Sequence, residues 1–174
     1  MKLYTTFLTL LCFAILLLGI CSCERDDICA EGTPTTPLLI VKFFDFDTKT
    51  EIKAPSELQV RAVGIDSFID IGTVRDSIFI PLRTNSSSTA FEFTINSDTT
   101  NNAASDLPPN TDRISFQYTP VEEYVSSACG FRVVYDGLTF SDEDPGTAGD
   151  WIREISIRRR DILDETDAHI LIFH

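Results

Sequence analysis

Apolar and polar residues alternate with period two through much of the chain. Phe91, Phe93 and Ile95 alternate with Glu92, Thr94 and Asn96; Ile114, Phe116 and Tyr118 with Arg113, Ser115 and Gln117; Ile155 and Ile157 with Glu154, Ser156 and Arg158. This pattern suits strands with one face on a core and the other in water. From Leu38 to Phe46 nearly every position is apolar, as in a central strand covered on both faces. Further strands are expected at 57–64, 68–72, 77–83, 130–136 and 168–173. Turn-rich pieces separate them: Asn85 to Ser88, Asn96 to Asn110, and Asp142 to Asp150. No stretch has a convincing 3.6 period apart from a turn at 160–166. Many short strands between turn signals predict an all-β fold, a single antiparallel β-sandwich of immunoglobulin-like or related topology.

The first residues follow a different pattern. Lys2 precedes an uncharged run, Phe7 to Ile20, dominated by Leu, Ile, Phe and Ala. The run is shorter than the ~20 residues of a comfortable membrane span. A cation, a short apolar stretch and then small residues make the layout of a secretory signal. Ile20-Cys21-Ser22-Cys23 resembles a lipobox, in which a small residue precedes the cysteine that takes the lipid. Cys23, with Ser22 before it, fits better than Cys21, which follows the bulky Ile20. The expected organisation is a signal peptide at 1–22, an extended acidic, Pro-containing tether at 23–37, and the sandwich at 38–174. An uncleaved N-terminal anchor is the alternative.

Loss of residues 1–22 would remove one of the 14 Lys and Arg and none of the 27 acids, leaving a net charge of −14. Such a surface disfavours nucleic acid and bare anionic membrane, which need a basic footprint. Of the five cysteines, Cys12 and Cys21 would leave with the signal and Cys23 would carry lipid. Cys29 and Cys129 remain, and in an oxidising compartment they are expected to pair. Neither has a Cys or His nearby at metal-ligand spacing, and no metal or cofactor is expected.

Other chemistry is sparse. His169 and His174 stand in no triad-like setting, and no metalloprotease or nucleophile-elbow motif is present. The acids Asp142, Glu143, Asp144 and Asp150 match no EF-hand spacing. Asp26/Asp27 and Asp45/Asp47 are adjacent acids with no implied catalytic geometry. Arg158-Arg159-Arg160 reads as a charged strand end pairing with the acidic surface, and Trp151 as core.

Cys-Glu-Arg-Asp-Asp-Ile-Cys (23–29), followed by Thr-Pro-Thr-Thr-Pro-Leu-Leu-Ile (33–40), resembles the mature start of an uncharacterised lipoprotein family of Bacteroidota. Cys129-Gly130-Phe131-Arg132 and the ending Ala168-His169-Ile170 to Phe173 are similar to it as well. The resemblance implies a lipoprotein with a single domain, and no activity. Asp98-Thr99-Thr100 and Asp76-Ser77-Ile78 look like the O-glycan acceptor pattern of that phylum, which makes Thr99 and Ser77 candidate acceptors. Glu24, Asp26 and Asp27, interrupted by Arg25, resemble its surface-export signal.

The expected protein is a non-enzymatic binding or structural module, lipid-anchored in the cell envelope. Its place would be the outer membrane, facing periplasm or exterior, with an envelope protein or glycan as partner. A carbohydrate-contacting module is the alternative, and a hydrolase built from scattered acids the third reading.

Overall fold

The computed structural model describes residues 4, 28–74, 76–97, 107–142 and 149–174. They form two compact units. One joins the described residues up to Thr33 with Ser126–Gly130; the other comprises those of Pro34–Val125 and Phe131–His174.

The larger unit is a β-sandwich. Its strands are β1 (Leu39–Phe44), β2 (Gln59–Ala62), β3 (Ser77–Ile80), β4 (Ser88–Ile95), β5 (Asn110–Ser126), β6 (Gly130–Asp142), β7 (Glu154–Ile157) and β8 (Ile170–Phe173), the ends of β5 and β6 entering the smaller unit. One sheet has the order β3-β1-β8-β7 and the other β2-β4-β5-β6. The apolar run at Leu38–Phe46 supplies β1, a central strand between β3 and β8; Leu39, Val41 and Phe43 are buried, while on its other face Ile40 is buried and Lys42 and Phe44 are half-buried. Leu39, Val41 and Phe43 of β1, Ile78 and Ile80 of β3, and Ile170 and Ile172 of β8 face the core. Across from them lie Val60 of β2, Phe91 and Phe93 of β4, Ile114 and Phe116 of β5, and Leu138 of β6. Trp151 bridges the layers: its ring stands 6.4 Å from that of Phe43, and its indole Nε1–H donates to the carbonyl of Phe93 at 3.0 Å.

Three expectations are corrected. First, β1 and β8 run parallel, Val41 opposite Ile170 and Phe44 opposite Phe173, so this sheet is mixed. A parallel pair requires a crossover connection, and the chain supplies it by building the whole second sheet between the two strands. Second, residues 68–72 form no strand. Asp70 folds back to accept the Gly72 N–H at 3.1 Å, and Gly72 sits at φ 60°, which ends any ladder there. Third, 160–166 holds no helical turn. Ile162 instead makes a two-bond bridge with Tyr135, at 2.7 and 3.2 Å.

β5 and β6 run well past the rest of their sheet. No residue from 119 to 133 is buried. This outer part is a two-stranded ribbon without a core face, an arrangement of marginal stability in isolation. Within it Arg132 donates through Nε and Nη2 to Glu123 Oε2, at 2.9 and 2.7 Å, and through Nη1 to the Leu163 carbonyl at 3.2 Å. The Val133 N–H donates to Thr36 Oγ1 at 2.9 Å.

Candidate functional site

The smaller unit is organised by a disulfide between Cys29 and Cys129, with Cα atoms 4.9 Å apart. Cys129 lies in the turn between β5 and β6, and Gly130 (φ 71°) adopts the left-handed backbone that closes it. The Cys129 N–H donates to Ser126 Oγ at 3.0 Å. On the other side, the Thr33 N–H and hydroxyl both donate to the Ala30 carbonyl, at 3.2 and 2.6 Å, folding 30–33 into a turn.

On the ribbon of the larger unit, Tyr124 and Phe131 stand edge to face with centroids 5.4 Å apart. They are 61% and 66% exposed, an unusual state for two adjacent aromatic rings. Their placement was not legible in the sequence, where neither falls on an alternating stripe.

Two buried polar groups carry strained electrostatics. Asp112, on β5, is 6% exposed. Its Oδ2 accepts the Ile152 N–H at 2.7 Å, while Oδ1 is buried without a hydrogen-bond partner. Burial, reinforced by the negative charges of Asp150 and Asp142, pushes its carboxyl up to about 6. His169 is fully buried. Its Nδ1 accepts the Ile40 N–H at 3.1 Å, so the neutral ring carries its proton on Nε2, which has no partner. Burial holds its pKa below the usual imidazole value, with the Arg159 charge acting in the same direction.

His174 is tied down too. Its Nε2 lies 2.9 Å from the Lys53 carbonyl, and its ring meets Trp151 edge-on at 5.4 Å. The arginine cluster follows β7, and its first two members make local pairs. Arg159 grips Asp164 with two bonds, at 2.9 and 3.0 Å, and Arg158 approaches Asp167 at 3.6 Å. Asp164 also accepts from the Thr166 N–H and hydroxyl, which together with Arg159 holds its carboxyl far below the usual range. Trp151 is buried, so it offers no sugar-stacking face. Among the described residues, no three His, Cys, Asp or Glu side chains converge where a metal could bind.

Ser77 opens β3, half-buried, and its hydroxyl donates to Asp76 Oδ1 at 3.1 Å. Cys23 and Thr99 lie outside the described residues, as do Asp26 and Asp27 and most of the acidic 142–150 loop. An apolar cleft of about 320 Å³ opens beside β2, lined by Ile65, Phe68, Ile69, Leu82 and Phe91 with Arg83 at its polar side.

A profile described as a family of unknown function, DUF6452, matches residues 57–174. The chain belongs to this family. The DUF6452 match spans β2 to β8 and includes Cys129-Gly130-Phe131-Arg132 and the 168–173 ending. It does not reach 23–40, where the resemblance to a lipoprotein start is carried. Among curated proteins and among solved structures, none matches the chain.

Proposed function

We propose that this DUF6452 protein is a lipid-anchored component of a bacterial cell envelope, of the Bacteroidota type. It acts there without catalysis, as a binding or structural module held close to the membrane. The observation that carries the reading is the Cys29–Cys129 disulfide. Disulfides persist in oxidising compartments, which the secretory pattern at residues 1–22 would reach. Cys29 follows the candidate lipid-bearing Cys23 by six chain steps, which reach at most ~20 Å. A leash this short restricts the partner to another envelope component or to something that comes to the surface. The folded polar clusters favour the same reading: His169, Asp112 and the Arg159–Asp164 pair each engage backbone or one another.

The test is mass spectrometry of the mature N-terminus together with affinity capture from detergent-solubilised envelopes. A diacylglyceryl-modified Cys23 and a stoichiometric envelope partner are the expected results. An unmodified N-terminus would remove the anchor, and capture of no partner would count against the binding role.

A further inference from the structure

We propose that the Tyr124–Phe131 pair is a membrane-interface contact that beds the end of the β5–β6 ribbon into the headgroup layer of a zwitterionic bilayer. The inference rests on the lipid-anchor reading above and assigns a surface to it.

Four observations carry the proposal. The two rings are 61% and 66% exposed and meet edge to face. They sit in a stretch, 119–133, that buries no residue, so core packing does not account for the ribbon or for its aromatic end. Arg132, next to Phe131, is neutralised by Glu123 at 2.7 Å, so no free cation stands beside the rings, and the exposed Glu122 leaves a single negative charge near them. That local charge and the chain's overall −13 would repel anionic lipid, which leaves a zwitterionic surface as the membrane the rings can approach.

The fourth observation is reach. Phe131 lies two chain steps from Cys129, whose Cα is 4.9 Å from that of Cys29. Cys29 lies six steps from Cys23. The whole path from ring-bearing backbone to lipidated cysteine is therefore on the order of 30 Å when fully stretched, and shorter in any other conformation. Anchored at Cys23, the pair cannot leave the neighbourhood of the bilayer surface. Tyrosine suits that place, with an apolar ring for the acyl boundary and a hydroxyl for the headgroup water, while phenylalanine supplies apolar area alone.

The test uses the lipidated protein reconstituted in phosphatidylcholine vesicles and the unlipidated Cys23→Ser protein in buffer. Both are exposed to hydroxyl radicals, and side-chain oxidation is read by peptide mass spectrometry. Tyr124 and Phe131 should be protected several-fold in vesicles, because rings bedded among headgroups lose contact with the water that carries the radicals. Phe68 and Phe79, exposed elsewhere on the domain, should be oxidised equally in both samples. Equal oxidation of Tyr124 and Phe131 in the two samples, with the protein shown to float with the vesicles, would overturn the proposal and leave the anchor intact. Protection of the unlipidated protein by soluble glycans, without vesicles, would also overturn it and reassign the pair to carbohydrate. Failure of the lipidated protein to float, or absence of lipid on Cys23, would instead defeat the anchor reading and the proposal with it.

Discussion

The ring of His169 stands in for a backbone carbonyl: its Nδ1 accepts the Ile40 N–H at 3.1 Å, while the backbone N–H of His169 donates to the Ile40 carbonyl at 3.0 Å. One residue thereby satisfies both polar groups of Ile40 and continues the β1–β8 pairing beyond its last ladder rung. The geometry works only for the neutral ring, since a protonated Nδ1 would become a donor facing a donor.

Replacing His169 with Ala should therefore cost ~2–4 kcal/mol, through an orphaned Ile40 N–H and a cavity in a buried site. Because the folded pKa is depressed, the stabilisation is present above the unfolded value near 6.5. It is lost as pH falls through the folded one. Urea unfolding of the wild type and His169→Ala, run from pH 8 to pH 5, should show the gap between them narrowing in acid. A constant gap would contradict the assignment.

Asp112 works in the opposite sense. Its folded pKa is raised from 3.8 to about 6, so its contribution favours the fold below the unfolded value and is lost as pH rises from about 4 through 6. Two pK units correspond to ~3 kcal/mol. Asp112→Asn should abolish most of that dependence, measured by the same unfolding series at pH 4 to 7. A variant whose pH profile parallels the wild type would refute the assignment.

Breaking the disulfide should loosen the ribbon before the sandwich. Cys129→Ala should lower global stability by ~2–5 kcal/mol. It should raise amide exchange in 119–133, which has no buried side chain, more than in β1 or β8. Non-reducing peptide mapping is the direct check. Two separately alkylatable thiols in the native protein would end both this argument and the short-leash one.

The anchor has its own test. Cys23→Ala should abolish incorporation of a labelled fatty acid and release the protein from membranes, whereas Cys21→Ala should do neither. Label retained by Cys23→Ala and lost in Cys21→Ala would move the lipid to Cys21.

Much of the sandwich was readable because period-two alternation reports burial on one face. Phe91/Phe93, Ile114/Phe116 and the solid run of β1 all point where their spacing indicates. Strand direction was not readable in the same way: the parallel β1–β8 pair depends on which distant segments meet, and alternation is identical for either polarity. The apparent strand at 68–72 failed because Phe68, Ile69 and Ile71 carry the pattern, while Asp70 and Gly72 decide the backbone. The ribbon escaped notice for a related reason. A two-stranded extension without a core has no pattern to display, and Tyr124 and Phe131 meet across the ribbon rather than along one strand. Asp112 and His169 look ordinary in the sequence, and only burial sets them apart.

The parallel pairing of β1 with β8 also constrains when the fold can form. The two central strands of that sheet join segments 129 residues apart, as Ile40 and His169 illustrate. Such high contact order delays folding, because the loop must close before the pairing rewards it. A chain emerging amino end first can assemble β2, β4, β5 and β6 by neighbour-to-neighbour pairing, but β1 must wait, half of its ladder empty, until β8 arrives. If the chain is exported as proposed, this ordering would leave the β3-β1-β8-β7 sheet unable to close until the last strand has crossed the membrane.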